Sequence, residues 1–118
     1  MEYGCKDRVV VISGGTSGIG LAAARLFCRD GARVFLLGRS RERGMAALNE
    51  LTPLVPARKP EEAPRLVYVH CDVARRGDCQ FAAAVVHAYG GRADILVHSA
   101  GVYCEQNLQD ATEKMYRT

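Results

Sequence analysis

Val9–Gly20 reads VVVISGGTSGIG and runs directly into LAAARLFCRD, residues 21–30. Three valines and Ile12 make a short apolar strand, and the chain then passes Gly14, Gly15, Gly18 and Gly20 before alanine-rich sequence of helical composition begins. That order specifies a strand, a tight turn and a helix start. Glycines at such a junction let backbone N–H groups approach a diphosphate, and the positive end of the helix dipole favours its charge. An ordinary strand-to-helix turn has the same composition, so the choice between the two rests on what the rest of the chain supplies.

Working outward, the first strand is expected over 8–13 and its helix over 18–30, with Ile19, Ala22, Ala23, Leu26 and Phe27 at helical spacing and Asp30-Gly31 as the stop. A second strand, Arg33–Leu37, ends at Gly38-Arg39-Ser40, and Ser40 is positioned to cap a charged helix reaching Leu51. Thr52–Pro64 holds all four prolines and reads as a loop, with too little chain on either side for two separate cores. The third strand, Arg65–His70, leads into Cys71-Asp72-Val73. A helix over 78–89 then carries Phe81, Val85 and Val86 on one side and stops at Gly90-Gly91. The fourth strand, Asp94–His98, leads into Ser99-Ala100-Gly101, and from Leu108 the sequence reads as the opening of another helix.

Composition fits one globular domain over residues 1–118. Hydrophobic residues make up 48% and charged residues 25%, and a formal charge of +3 with dispersed arginines argues against nucleic acid as a partner. Met1–Asp7 has no apolar stretch of signal-peptide type and no run approaches a membrane span, so a soluble, cytoplasmic protein without a membrane partner is expected. The five cysteines are an odd number without Cys-x-x-Cys or zinc-type Cys/His spacing, and read as reduced thiols, with Cys28 and Cys71 buried.

Strands alternating with helices specify a parallel sheet covered on both faces, because right-handed crossovers leave few alternatives. The expected architecture is α/β, a three-layer α/β/α sheet of spatial order 3-2-1-4. Ligands of such sheets bind beyond the carboxyl ends of the strands. Here those ends are Ser13–Gly18, Gly38–Ser40, Cys71–Val73 and Ser99–Gly101, all small, polar or charged.

At these positions the chain resembles the short-chain dehydrogenase/reductase family. The family's Thr-Gly-x-x-x-Gly-Ile-Gly is similar to Ser13-Gly14-Gly15-Thr16-Ser17-Gly18-Ile19-Gly20, with Ser in place of Thr. Its Asp-Val pair matches Asp72-Val73, and its Asn-Asn-Ala-Gly is similar to His98-Ser99-Ala100-Gly101. The resemblance implies a Rossmann-like dinucleotide-binding domain. It places Gly14, Thr16, Ser17, Gly18, Ile19 and Gly20 at the cofactor loop, Asp72 and Val73 against the adenine, and Ser99, Ala100 and Gly101 in the loop that supports the cofactor. For Asp72 the adenine contact is the favoured role and a helix N-cap the alternative, and the two can coexist; the Thr16 and Ser17 hydroxyls serve either phosphate or the turn itself.

Two departures stand out. His98 and Ser99 replace asparagines that tie the central strands together in the family, so that support is expected to be altered; His98 reads as a structural residue, and no catalytic role is assigned to it. Family members run to about twice this length, and the part beyond carries a catalytic Ser and a Tyr-x-x-x-Lys pair. Tyr3, Tyr68, Tyr89 and Tyr103 are followed four residues later by Asp7, Asp72, Ala93 and Asn107, and Tyr116 has no fourth residue after it, so these 118 residues contain no such pair. The domain is therefore expected to be incomplete relative to the family, truncated before the later strands, and the catalytic residues to be none within it.

For the cofactor, an acidic residue after the second strand would bond the ribose hydroxyls of NAD, whereas a basic one would receive the extra phosphate of NADP. No Asp or Glu lies between Val34 and Arg41, and Arg39 stands where the family recognises phosphate, with Ser40 and Arg41 able to assist. NADP(H) is expected over NAD, the competing reading being a solvated Arg39 at a helix start. The resemblance implies hydride transfer between nicotinamide and a carbonyl or alcohol substrate, provided the missing half is supplied. The alternative is a non-catalytic NADP(H)-binding or interaction module. The outer edge of the fourth strand, Ile95–Val97, would lack a partner, and that predicts self-association or pairing with another chain.

Overall fold

The computed structural model describes residues 4–56 and 59–99. The elements in chain order are β1 (Val9–Ser13), α1 (Gly18–Arg29), β2 (Arg33–Gly38), α2 (Arg41–Leu51), a 3-10 turn (Thr52–Leu54), β3 (Leu66–His70), α3 (Arg76–Gly90) and β4 (Ile95–His98). The four strands form one parallel sheet in the order β3-β2-β1-β4. This is the doubly wound arrangement expected from the alternation of strand and helix.

Period-two alternation sends the strand side chains to opposite faces. Val10, Ile12, Val34 and Leu36 pack with Ala24, Cys28, Ala47 and Leu51 beneath α1 and α2. Val9, Val11, Phe35 and Leu37 pack with Ala82 and Val86 of α3 on the other face. β1 is buried along its whole length. Burial on both faces makes Val9–Ile12 a continuous apolar run rather than an alternating one, and Ser13 closes the strand as a buried polar residue.

The helices sit differently from their apolar spacing. α1 buries Gly20, Ala24 and Cys28, with Ala23 and Phe27 beside them, while Ile19 is 81% exposed and Leu26 also lies outside. Residues at i, i+4 and i+8 form one helix row, and a row of small side chains lets the helix lie close on the sheet. In α3 the buried row is Ala82 and Val86, and Phe81 is 61% exposed, which corrects its assignment to the inner face. α3 also starts earlier than expected, at Arg76.

Asp94 anchors the amino end of β4, its carboxylate accepting from the Val9 N–H at 2.8 Å and from Arg92 at 2.9 Å. β4 is the last strand of the sheet among the described residues, with Leu96 54% exposed. Beside it, Leu96, Val11, Leu37, Cys71 and Val86 line an apolar groove of about 350 Å³ against α3. Among the described residues no helix is long and apolar enough to cross a membrane, and no cluster of side chains is suited to hold a metal ion.

Candidate cofactor site

The carboxyl ends of the four strands converge at one end of the sheet, as a parallel arrangement requires. After Ser13 the glycine loop turns sharply, with Gly14 at φ +75° and Gly18 at φ +56°, conformations that side chains disfavour. The Gly14 N–H donates to the Leu37 carbonyl at 2.9 Å, holding the loop to the end of β2. Gly20 lies so close beneath the loop that a Cβ there would stand 2.1 Å from the Gly14 carbonyl oxygen. The glycine spacing therefore reflects two distinct demands: left-handed backbone at Gly14 and Gly18, and room at Gly20.

Ser17 occupies the cap position of α1 in extended conformation, yet its hydroxyl does not cap the helix, and the first turn holds no acidic side chain. The first intrahelical bond runs from the Leu21 N–H to the Ser17 carbonyl. The preceding N–H groups have no partner within the helix, so together with the dipole they form a positive end that suits an anion. Thr16 turns towards β2, where its methyl and hydroxyl groups would each stand 3.2 Å from a Cβ on Gly38.

Arg39 follows β2 and is exposed, and Ser40 caps α2 by accepting from the Arg43 N–H at 3.2 Å. Asp72 does not cap α3, whose cap position is Arg75. Its carboxylate instead accepts from the Ala74 N–H at 3.0 Å, and Asp78 reaches back to accept from the Asp72 N–H at 2.9 Å. These bonds shape the turn that carries Asp72 and Val73. At the end of β4 the Ser99 hydroxyl and N–H both donate to the Ser13 carbonyl, at 2.9 Å each. The expected Ala100 and Gly101 contributions lie outside the described residues.

Three groups are electrostatically quiet. Burial lowers the His98 pKa and favours a neutral imidazole. Burial also pushes the Cys71 thiol up to about 12 and Cys28 to about 11, which makes both poor nucleophiles at neutral pH. The expectation of buried, reduced Cys28 and Cys71 matches the structure.

Two residues at this end of the sheet were not singled out from the sequence. Tyr68 of β3 donates its hydroxyl to the Gly38 carbonyl at 2.8 Å. Its ring fills the space beside Gly44, where a Cβ would meet ring carbons at 2.6 Å. Gly44 carried the usable signal, because a glycine inside a helix costs stability unless something approaches closely.

A parallel doubly wound sheet with a glycine loop opening onto a helix amino terminus defines a dinucleotide-binding α/β domain. The family model described as short chain dehydrogenase matches residues 8–118, and the chain belongs to that family. It is 42% identical over 97 residues to momilactone A synthase of Oryza sativa subsp. japonica, a match covering 80% of this chain and 31% of that protein. It is 29% identical over 108 residues to cyclopentanol dehydrogenase of Comamonas testosteroni, covering 92% of this chain and 40% of that protein. Among solved structures, L-sorbose reductase from Gluconobacter frateurii, complexed with NADPH and L-sorbose, superposes with a TM-score of 0.76 at 31% identity, over 98% of this chain and 43% of that one. Glucose dehydrogenase of Caenorhabditis elegans gives a TM-score of 0.74 at 28% identity, over 86% of this chain and 40% of that one. The chain spans about a third of the length of the curated relatives it matches.

Proposed function

We propose that this chain is the NADP(H)-binding domain of an oxidoreductase that moves hydride between nicotinamide and a carbonyl or alcohol group. Arg39 is the observation that carries the cofactor choice. It stands exposed one residue beyond β2, beside the Ser40-capped start of α2, and no Asp or Glu lies between Val34 and Arg41. A guanidinium pairs bidentately with a phosphate but has no acceptor for ribose hydroxyls, so Arg39 favours the phosphorylated ribose.

In this reading the Gly14–Gly20 loop and the amino end of α1 take the diphosphate, with Thr16, Ser17, Gly18 and Ile19 around it. Arg39 and Ser40 take the ribose phosphate. Asp72 and Val73 meet the adenine, and Ser99, Ala100 and Gly101 brace the loop from the β4 side. The close fit at Gly20 and the positive end of α1 support a diphosphate at this place. When bound, the nicotinamide supplies the hydride chemistry; the residues of this chain bind and orient it. The proton-transferring tyrosine and its lysine are assigned to no residue of these 118, which hold no Tyr-x-x-x-Lys pair.

A second reading, pairing with another chain, rests on the exposed Leu96 of β4 and the apolar groove beside it. Both readings are tested by titrating the purified chain with NADPH and NADH, followed by cofactor fluorescence, with native mass determined on the same samples. Saturable binding with NADPH the tighter ligand is expected. Equal affinities would remove the NADP assignment, absence of binding would remove the cofactor site, and a strict monomer would remove the pairing.

A further inference from the structure

Tyr68 links the glycine loop to the start of α2 through groups that no cofactor motif includes. It sits within β3, on the sheet face that carries α1 and α2. The Gly38 carbonyl accepts from the Tyr68 hydroxyl at 2.8 Å and from the Cys71 N–H at 2.8 Å. A carbonyl oxygen has two lone pairs, so this one is fully engaged. The peptide unit is planar and trans, and fixing the Gly38 carbonyl towards β3 turns the next N–H, that of Arg39, towards β1 and the glycine loop. Thr16 of that loop and the Tyr68 ring both face Gly38, where a Cβ would stand 3.2 Å from Thr16 and 3.6 Å from the ring. One turn into α2, Gly44 rests directly on the Tyr68 ring, which sets the height of the turn that Ser40 caps. Burial raises the Tyr68 pKa further above its ordinary value of 10.0, so the phenol remains a proton donor to the carbonyl.

We propose that Tyr68 is a specificity-positioning residue. Through the Gly38 carbonyl and the Gly44 contact it fixes Arg39 and the first turn of α2 against the glycine loop, and so sets the discrimination between a phosphorylated and an unphosphorylated ribose. The inference rests on the NADP(H) reading above. A phenylalanine would fill the same space but leave the Gly38–Arg39 peptide held only by its ladder bond.

The test is Tyr68→Phe in the full chain, with dissociation constants for NADPH and NADH and the amide resonances of Arg39 and Ser40 recorded without cofactor. NADPH affinity is expected to fall about three- to tenfold while NADH changes less than about twofold, with the two resonances displaced. Equal weakening of both cofactors assigns Tyr68 to the core alone and overturns the inference, as does an unchanged ratio or a variant that no longer folds. A wild-type chain that binds both cofactors alike, or neither, overturns the NADP(H) reading itself. A wild type that prefers NADPH, with the preference intact in Tyr68→Phe, overturns only the role of Tyr68.

Discussion

The Ser99 hydroxyl donates to the Ser13 carbonyl at 2.9 Å, on the same oxygen that receives the Ser99 N–H. This joins the carboxyl ends of β4 and β1, the two strands between which the sequence direction across the sheet reverses. The same hydroxyl lies 3.5 Å from the Gly14 carbonyl and would stand 2.4 Å from a Cβ on Gly20. A short side chain thus ties the two strand ends through a hydroxyl.

Replacing Ser99 with alanine leaves the backbone bond and removes the hydroxyl one. The loss is expected to be about 0.5–1.5 kcal/mol, the usual net value of one neutral hydrogen bond. Urea unfolding measures it directly. No change in the unfolding midpoint would mean that the Ser99 N–H alone secures the two strand ends.

Gly18 and Gly20 separate the two demands made of the loop. Alanine at Gly18 meets no atom of a described residue within 4 Å and bears only the cost of a left-handed backbone, about 1–2 kcal/mol. Alanine at Gly20 presses against the Gly14 carbonyl, a backbone group that cannot swing aside. Its cost should reach the upper end of overpacking, about 3 kcal/mol or more, with loss of cofactor binding. Paired urea titrations give the ranking, and a milder effect at Gly20 than at Gly18 would show that the loop yields.

The sequence made the sheet legible because β1 and β2 are runs of apolar residues set off by Gly14-Gly15 and Gly38, and Asp30-Gly31 marks the end of α1. Handedness then leaves few strand orders, and β3-β2-β1-β4 is the one observed. Helix faces were less legible. Ile19, Leu26 and Phe81 satisfy helical spacing, but the buried rows contain the smaller residues Gly20, Ala24 and Ala82, because closeness to the sheet selects size as well as hydrophobicity. The cap alternative for Asp72 rests on a carboxylate standing before a helix; the intervening turn, closed by Asp78, is not legible from spacing. Tyr68 was hidden for a related reason. Its hydroxyl meets a backbone carbonyl 30 residues away, and backbone partners leave no trace in side-chain pattern.

Arg39→Ala removes the charge on which the cofactor assignment depends. NADPH affinity is expected to drop about tenfold or more, from the loss of a charge-assisted contact, while NADH binding stays nearly constant. The ratio of the two dissociation constants, taken at one ionic strength because salt screens such contacts, is the quantity to follow. An unchanged ratio would return Arg39 to the role of a solvated residue at a helix start.

Ser13 offers the opposite kind of test. Its hydroxyl is fully buried and has no hydrogen-bond partner among the described residues. A buried hydroxyl without a partner carries a desolvation cost of about 1–3 kcal/mol. Ser13→Ala removes that cost and opens only a small void, so the alanine variant should be as stable as the wild type or more so. A clear loss of stability in urea would mean that the hydroxyl has a partner after all.

Acid stability should fall in two separate windows. Burial lowers the His98 pKa from its ordinary 6.5, so the unfolded chain binds a proton that the folded chain resists. That contribution is fully present above about pH 6.5 and is lost as the pH falls from there through the lowered folded value. The Asp94 carboxyl is held below its ordinary 3.8 by the Val9 N–H and then by Arg92. Its contribution is present above about pH 3.8 and is lost only as the pH falls below that value. His98→Asn should flatten the upper window and spare the lower one, whereas Asp94→Asn should do the reverse while weakening the start of β4 at every pH. Melting temperatures collected from pH 8 to pH 3 separate the two. If His98→Asn left the slope below pH 6.5 unchanged, the imidazole would have to be as well solvated in the fold as in the unfolded chain.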